Sequence, residues 1–146
     1  MTTALRQTTS VAGSITLGAV AGLAGGVLFG IMMAMMNILP LVGQLVGQPN
    51  STVGFIVHMG ISAIIGATYG VLAARLPRRW DTALVGGALY GVVWWVLGAL
   101  VLMPLMLGMA NMVLVVGQMQ WWSLVGHLLY GAVTGGVFLV LAQRSS

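Results

Sequence analysis

The 146-residue chain contains no cysteine, no lysine and no glutamate, and Asp81 is its single carboxylate side chain. Without cysteine there are no disulfides, no thiolate metal sites and no thiol nucleophile, and the redox compartment stays open. With one carboxylate, paired-carboxylate hydrolysis, a Ser-His-Asp triad and a carboxylate proton relay are all excluded. Charged residues make up only 4% of the chain and hydrophobic ones 60%. A domain dissolved in water needs a charged surface, so the solvent for most of this chain is lipid. Five arginines against Asp81 give a net charge of +4. That is too few to build a phosphate-tracking face, so no nucleic-acid partner is expected, and the arginines read as topology markers instead. Most of the 22 glycines lie within long apolar runs, and no phosphate-cradling glycine loop is present. No enzymatic activity is expected of the chain alone.

What is present is hydrophobic length. A bilayer core takes about 20 apolar residues per helix, and four segments qualify: 11–37, 53–74, 82–107 and 121–142. The first is too long for a signal-peptide core and reads as an uncleaved transmembrane helix. Arg6, Arg75, Arg78, Arg79 and Arg144 fall at the N-terminus, in the middle connection and at the C-terminus. An even number of spans puts these places on one side, and the positive-inside rule makes that side cytoplasmic. The expectation is an integral protein of a prokaryotic cytoplasmic membrane with both termini in the cytoplasm. The connections around 40–51 and 108–120 then face outward. Their apolar character, with the echo LVGQLVGQ and VVGQ, suggests that they lie on the bundle or against a partner. Trp80 marks one interface, and Trp121 with Trp122 the other. Pro77 ends the second helix, Asp81 is expected to cap the third, and Asn50-Ser51-Thr52 offers capping oxygens for the second. That tripeptide is formally a glycosylation sequon, but it lies so near the membrane that modification is not expected.

The chain writes one plan twice. TVGFIVHMGISAIIGATYGVLAAR at 52–75 and WWSLVGHLLYGAVTGGVFLVLAQR at 121–144 align at a constant offset of 69, which pairs His58 with His127, Gly66 with Gly135, Tyr69 with Phe138 and Arg75 with Arg144. GGVLFG at 25–30 matches GGALYG at 86–91 with offset 61, so the second outer connection is about 8 residues longer. The fold class expected is an all-α membrane protein: four transmembrane helices forming one domain, arranged as two tandem, parallel-duplicated hairpins. Repeat 1 covers about 11–76 and repeat 2 about 82–144. Their pseudo-two-fold axis should run along the membrane normal, placing His58 and His127 at equal depth in the outer half. Small residues recur at every fourth position: Gly18, Gly22, Gly26, Gly30 and Ala34 in the first helix, Gly54, Ser62, Gly66 and Gly70 around His58 in the second. The third has Ala83, Gly87 and Gly91, and the fourth Ser123, Gly131 and Gly135 around His127. Such stripes let helix backbones approach closely where lipid supplies no hydrophobic drive for association.

His58 and His127 are the one sharp chemical feature, because an ionisable residue inside a membrane is costly and by default a functional candidate. Facing each other, they could supply axial nitrogens to a b-type haem, with Gly54, Ser62, Ser123 and Gly131 as pocket residues. Alternatively each could hold another tetrapyrrole. Gly54-xxx-His58 and Ser123-xxx-His127 resemble the small-xxx-His pattern of bacteriochlorophyll-binding antenna helices. Against haem, no outer arginine or lysine could meet the propionates. A second use is copper. All methionines but Met1 fall in the outer half, and a site drawn from His58, His127, Met33, Met36, Met59 and Met103 would suit Cu(I). Methionine is equally a filler of helix interfaces, and Met103, Met106, Met109 and Met112 read as one helix face. A third use is structural: each ring bonds a backbone carbonyl, Ser62 or the other histidine and sets helix register.

YGVVWWVLGALVLMPLMLG at 90–108, SLVGHLLYG at 123–131 and FIVHMGISAIIGATYG at 55–70 resemble small four-span membrane proteins of bacteria and haloarchaea that carry no assigned activity. The resemblance covers most of the chain and implies a single domain. Taken together, the residues point to a non-catalytic structural or self-associating subunit of a membrane assembly, whose partners are the lipid bilayer and other membrane subunits or copies of itself. The alternatives are a haem, tetrapyrrole or copper subunit for electron transfer or pigment binding, and a small transporter or channel. A transporter would need a continuous polar path, and Gln44, Gln48, Gln118 and Gln120 reach only the outer mouth.

Overall fold

A computed structural model describes residues 10–145; Met1 and Arg6 lie outside them. Four helices of 23 to 27 residues are long and apolar enough to cross a membrane. At 1.5 Å per residue the shortest reaches about 35 Å, more than a hydrocarbon core of about 30 Å. Helix α1 (Val11–Met35) starts at Ser10, whose Oγ accepts from the Gly13 amide at 3.0 Å. It stops at Met36-Asn37, where Asn37 adopts a left-handed φ of 55°. The short α2 (Leu39–Gln44) carries Pro40 in its first turn, where a missing N–H costs nothing. Asn50 caps α3 (Ser51–Ala73) by accepting from the Val53 amide at 3.0 Å, as its sequence context suggested.

The third span differs from its expected form at both ends. Helix α4 (Trp80–Trp94) begins one residue after Arg79, which sits at the cap position without a side-chain bond to the helix. Asp81 is therefore inside the first turn rather than at the cap. Its carboxylate is gripped by Arg79 at 2.9 and 3.1 Å and accepts from the Thr82 amide at 2.8 Å. Negative charge in a first turn still complements the helix dipole. At the far end α4 widens into a π-helix, Trp95–Leu102, followed by α5 (Met103–Met106) and a single 3₁₀ turn, Ala110–Met112. The carbonyl of Leu100, the buried residue of the π segment, accepts from the Leu114 amide at 2.9 Å. That bond draws the outer connection back over the span, with Leu114 held at φ 59°. Met103 and Met106 lie in α5, whereas Met109 and Met112 follow a left-handed turn at Gly108. The four methionines do not share one helix face. Helix α6 (Gln118–Arg144) completes the fold.

The helices run up and down in turn, and small residues decide which pairs touch. A Cβ added to Gly66 would strike the Gly18 carbonyl and the Cα of Gly22, and one added to Gly70 would strike the Ser14 carbonyl. Helices α1 and α3 are therefore in backbone contact. Helices α4 and α6 meet the same way: Gly135 on the Ala83 carbonyl, Gly131 on the Gly87 carbonyl, and Gly91 on the His127 carbonyl. The two hairpins join through α1 and α6, where Gly25 abuts Tyr130 and Thr134. Helices α3 and α4 stand further apart, bridged by the rings of Tyr69 and Tyr90 at 5.2 Å between centroids. The interior holds glycine, alanine, aromatic rings and buried Ser14, His58, Ser62 and Thr134, while Ile56, Ile64, Leu72 and Leu89 are more than half exposed. Apolar outside and small or polar inside is the order that suits lipid as solvent.

The two outer connections behave differently. Helix α2 packs its Leu39 and Val42 onto the bundle, and the Leu39 carbonyl covers Gly54 of α3. The second connection leaves Leu105, Met106, Leu114 and Met119 half exposed or more. Only the first one seats buried side chains on the bundle.

Candidate functional site

Each histidine is placed by a stripe of small residues that brings its helix against a neighbour. On α3, Ser62 sits under Gly26 and the His58 ring under Gly30, where a Cβ on Gly30 would come within 3.3 Å of its Cδ2. His58 is buried, and its Nε2–H donates to the Gly26 carbonyl at 2.9 Å. On α6, His127 turns back on its own helix: Nδ1–H donates to the Ser123 carbonyl at 2.7 Å, with the Ser123 Oγ at 3.4 Å. A carbonyl can only accept, so His58 carries a proton on Nε2 and His127 on Nδ1, and as neutral rings the two are opposite tautomers.

The residue that unites them is Phe29. Its ring packs edge-on against both imidazoles, with centroids 5.4 Å from His58 and 4.8 Å from His127. It also fills the notch left by Gly126 on α6. Both histidines therefore lie at one level of the bundle. Their difference in bonding has a local cause. Gly26 presents a bare carbonyl to His58 across the tight α1–α3 contact, whereas the Gly91 Cα stands over the backbone of His127 itself, leaving its side chain to fold along α6.

The four residues singled out as pocket lining do not surround a common space. Gly54 is covered by the Leu39 carbonyl, and Gly131 lies on Gly87. Ser123 serves His127, and Ser62 accepts from the Tyr130 hydroxyl at 2.7 Å through its carbonyl. A cavity of about 20 Å³ lies at the opposite end among Tyr69, Ala73, Arg78, Thr82, Gly135 and Phe138. That holds about one water. Of the candidate copper ligands, Met33 is buried in the core with Phe29 and Tyr130, and Met103 packs against that cluster. Met59 turns its sulfur toward Gly26 of α1. Met36 caps the end of α1. Among the described residues no group of three or more His, Cys, Asp or Glu comes together.

The aromatic hydroxyls are functional groups that the sequence pattern does not mark. Tyr130 reaches from α6 to the Ser62 carbonyl, Tyr90 from α4 to the Ile65 carbonyl at 2.8 Å, and Tyr69 from α3 toward the Ala83 carbonyl at 3.4 Å. Each is a phenol on one helix bonding the main chain of another, which registers helices whose surfaces are otherwise smooth. Their isolated positions in apolar runs carry no periodic signal, although the Phe29–Tyr90 match in the two GG segments marks a ring at that place. A Tyr130→Phe variant should lose about 0.6 kcal/mol and at most about 1.7, the range for interhelical bonds in membranes. Denaturant unfolding in detergent checks this.

An all-α polytopic fold with four candidate membrane spans, an apolar exterior and a small-residue interior places the chain among integral membrane proteins. No protein-family model, no curated protein and no solved structure matches it.

Proposed function

We propose that the chain is a non-catalytic structural or self-associating subunit of a membrane assembly, in which His58 and His127 set helix register. The observation that carries this reading is that each imidazole is spent on a backbone carbonyl while Phe29 occupies the space beside both. A self-associating role draws on the third span. Only 17% of its most apolar stretch is covered by the rest of the chain, against 44% for the fourth, so its outer face is free to meet another copy or subunit.

We also infer that the two hairpins are duplicates. Support comes from the contact register: Gly22 on Gly66, Gly26 on Ser62 and Gly30 on His58 correspond, at the offsets of 61 and 69, to Ala83 on Gly135, Gly87 on Gly131 and Gly91 on His127. Tyr69 and Phe138, equivalent by the same offset, meet ring to ring at 5.9 Å, as residues beside a two-fold axis would. Arg75, Arg78, Arg79 and Arg144 gather at one end, which supports a cytoplasmic placement of that end and of both termini. The earlier resemblance to four-span proteins of bacteria and haloarchaea agrees with a prokaryotic cytoplasmic membrane.

The rival, a haem, tetrapyrrole or copper subunit, keeps one specific support. The opposite protonation leaves His58 Nδ1 and His127 Nε2 as lone pairs at the same level of the bundle. A double variant His58→Leu/His127→Leu decides between the readings. The structural role predicts a folded protein losing about 0.6 kcal/mol for the one interhelical bond, His58 to Gly26. It also predicts an absorption spectrum, oxidised and dithionite-reduced, and a metal content that match the wild type purified gently from its own membrane. Stoichiometric copper, or a Soret or far-red band, that disappears in the double variant would establish the cofactor reading instead.

A further inference from the structure

We propose that the basic end of the bundle binds the phosphate headgroup of an anionic phospholipid, held by Arg75 and Arg144 with Leu76 and Trp80 seated in the lipid beside them. The inference rests on the helices spanning a membrane and is independent of the subunit role. Arg75 directly follows α3 and Arg144 closes α6, and both are exposed. Neither guanidinium makes a hydrogen bond or ion pair among the described residues. They share one rim, because Arg78 donates to the Ala142 carbonyl at 3.2 Å and so ties the turn after α3 to the last turn of α6. The one carboxylate at this end, Asp81, is already engaged by Arg79. Among the described residues the rim therefore presents these two guanidinium charges without a counterion.

Three features together select the phosphate of a lipid headgroup. The arginines stand at helix ends, the level at which headgroups lie. The guanidinium fork matches phosphate oxygens in pairs. Leu76 and Trp80, 44% and 54% exposed, add apolar surface to this end of the bundle, which a glycerol and acyl chain would cover and inorganic phosphate would not. The cleft behind them, of about 20 Å³, admits a water but no acyl chain, so the lipid lies against the outer rim. The opposite end of the bundle has no arginine or lysine in either connection and offers no equivalent.

The test uses the full chain in phosphatidylcholine nanodiscs, with spin-labelled phosphatidylglycerol and phosphatidylcholine as probes of lipid association. Wild type should prefer phosphatidylglycerol, and Arg75→Gln/Arg144→Gln should lower that preference by roughly fivefold per arginine removed. Arg75→Lys/Arg144→Lys, which keeps the charge, should retain most of it. Both positions are exposed, so a matching thermal melt confirms that the variants fold. Equal association of the two lipids with wild type overturns the proposal, as does an unchanged preference in the glutamine variant. Displacement of the labelled phosphatidylglycerol by millimolar inorganic phosphate would also overturn it, by showing a simple anion site.

Discussion

A Gly66→Ala variant should unfold at lower denaturant than wild type, by roughly 1–2 kcal/mol, because the added methyl has nowhere to go. Its Cβ would fall 2.5 Å from the Gly22 Cα and 2.8 Å from the Gly22 nitrogen, against the Gly18 carbonyl as well. Ordinary contact begins near 3.4 Å, so α1 and α3 must separate by about an ångström along the stripe. Backbone cannot rotate out of the way as a side chain can. Overpacking of this kind typically costs about 1–3 kcal/mol, occasionally more. The gain from alanine's better helix propensity, about 0.8–1 kcal/mol, offsets only part of it. Gly60→Ala on the same helix is the control. Nothing lies within 4 Å of its added methyl, so propensity acts alone and the variant should be neutral or slightly more stable. Chemical unfolding of both variants in one detergent separates close packing from propensity. Equal behaviour of the two would mean that α1 and α3 are not in backbone contact.

Phe29→Ala should also be strongly destabilising, and for a different reason. Phe29 fills Gly126, touches both imidazoles and belongs to the core cluster with Met33 and Tyr130. In a water-soluble protein such a truncation costs roughly 3–5 kcal/mol. Within lipid the transfer part of that cost largely vanishes, since the acyl chains are as apolar as the core. What remains is the lost packing, about 2 kcal/mol, with the further consequence that the histidines gain room to move. Their ring resonances in NMR should broaden or shift in Phe29→Ala and stay in place in Tyr130→Phe. Unmoved histidine signals in Phe29→Ala would show that the ring does not hold them.

Much of this architecture was legible because lipid imposes few rules and strict ones. Four apolar runs had to be helices, since a backbone in hydrocarbon must satisfy its own hydrogen bonds. The spacing of Gly18, Gly22, Gly66 and Gly70 marked the faces that meet, and those faces do meet. Asn50 announced a cap and is one. The misses have physical causes too. Acidic residues favour helix starts, which makes Asp81 look like a cap, but the helix starts at Trp80 and Asp81 lies within its first turn, paired with Arg79. The π segment at Trp95–Leu102 left no mark in a run uniformly apolar by composition. The methionines at every third position mimic a helix face only if the helix continues, and Gly108 breaks it.

The chain alone thus determined the solvent, the number of spans, their antiparallel order and the grouping of charge at one end, all consequences of composition and hydrophobic length. Where the two imidazoles point was decided only by tertiary structure. A histidine within a small-residue stripe can serve a metal, a macrocycle or a carbonyl, and the stripe reads the same in each case. Which it serves depends on what the neighbouring helix brings to that level. Here α1 brings the Gly26 carbonyl and the Phe29 ring, because the glycines on two of its faces let it approach α3 and α6 together.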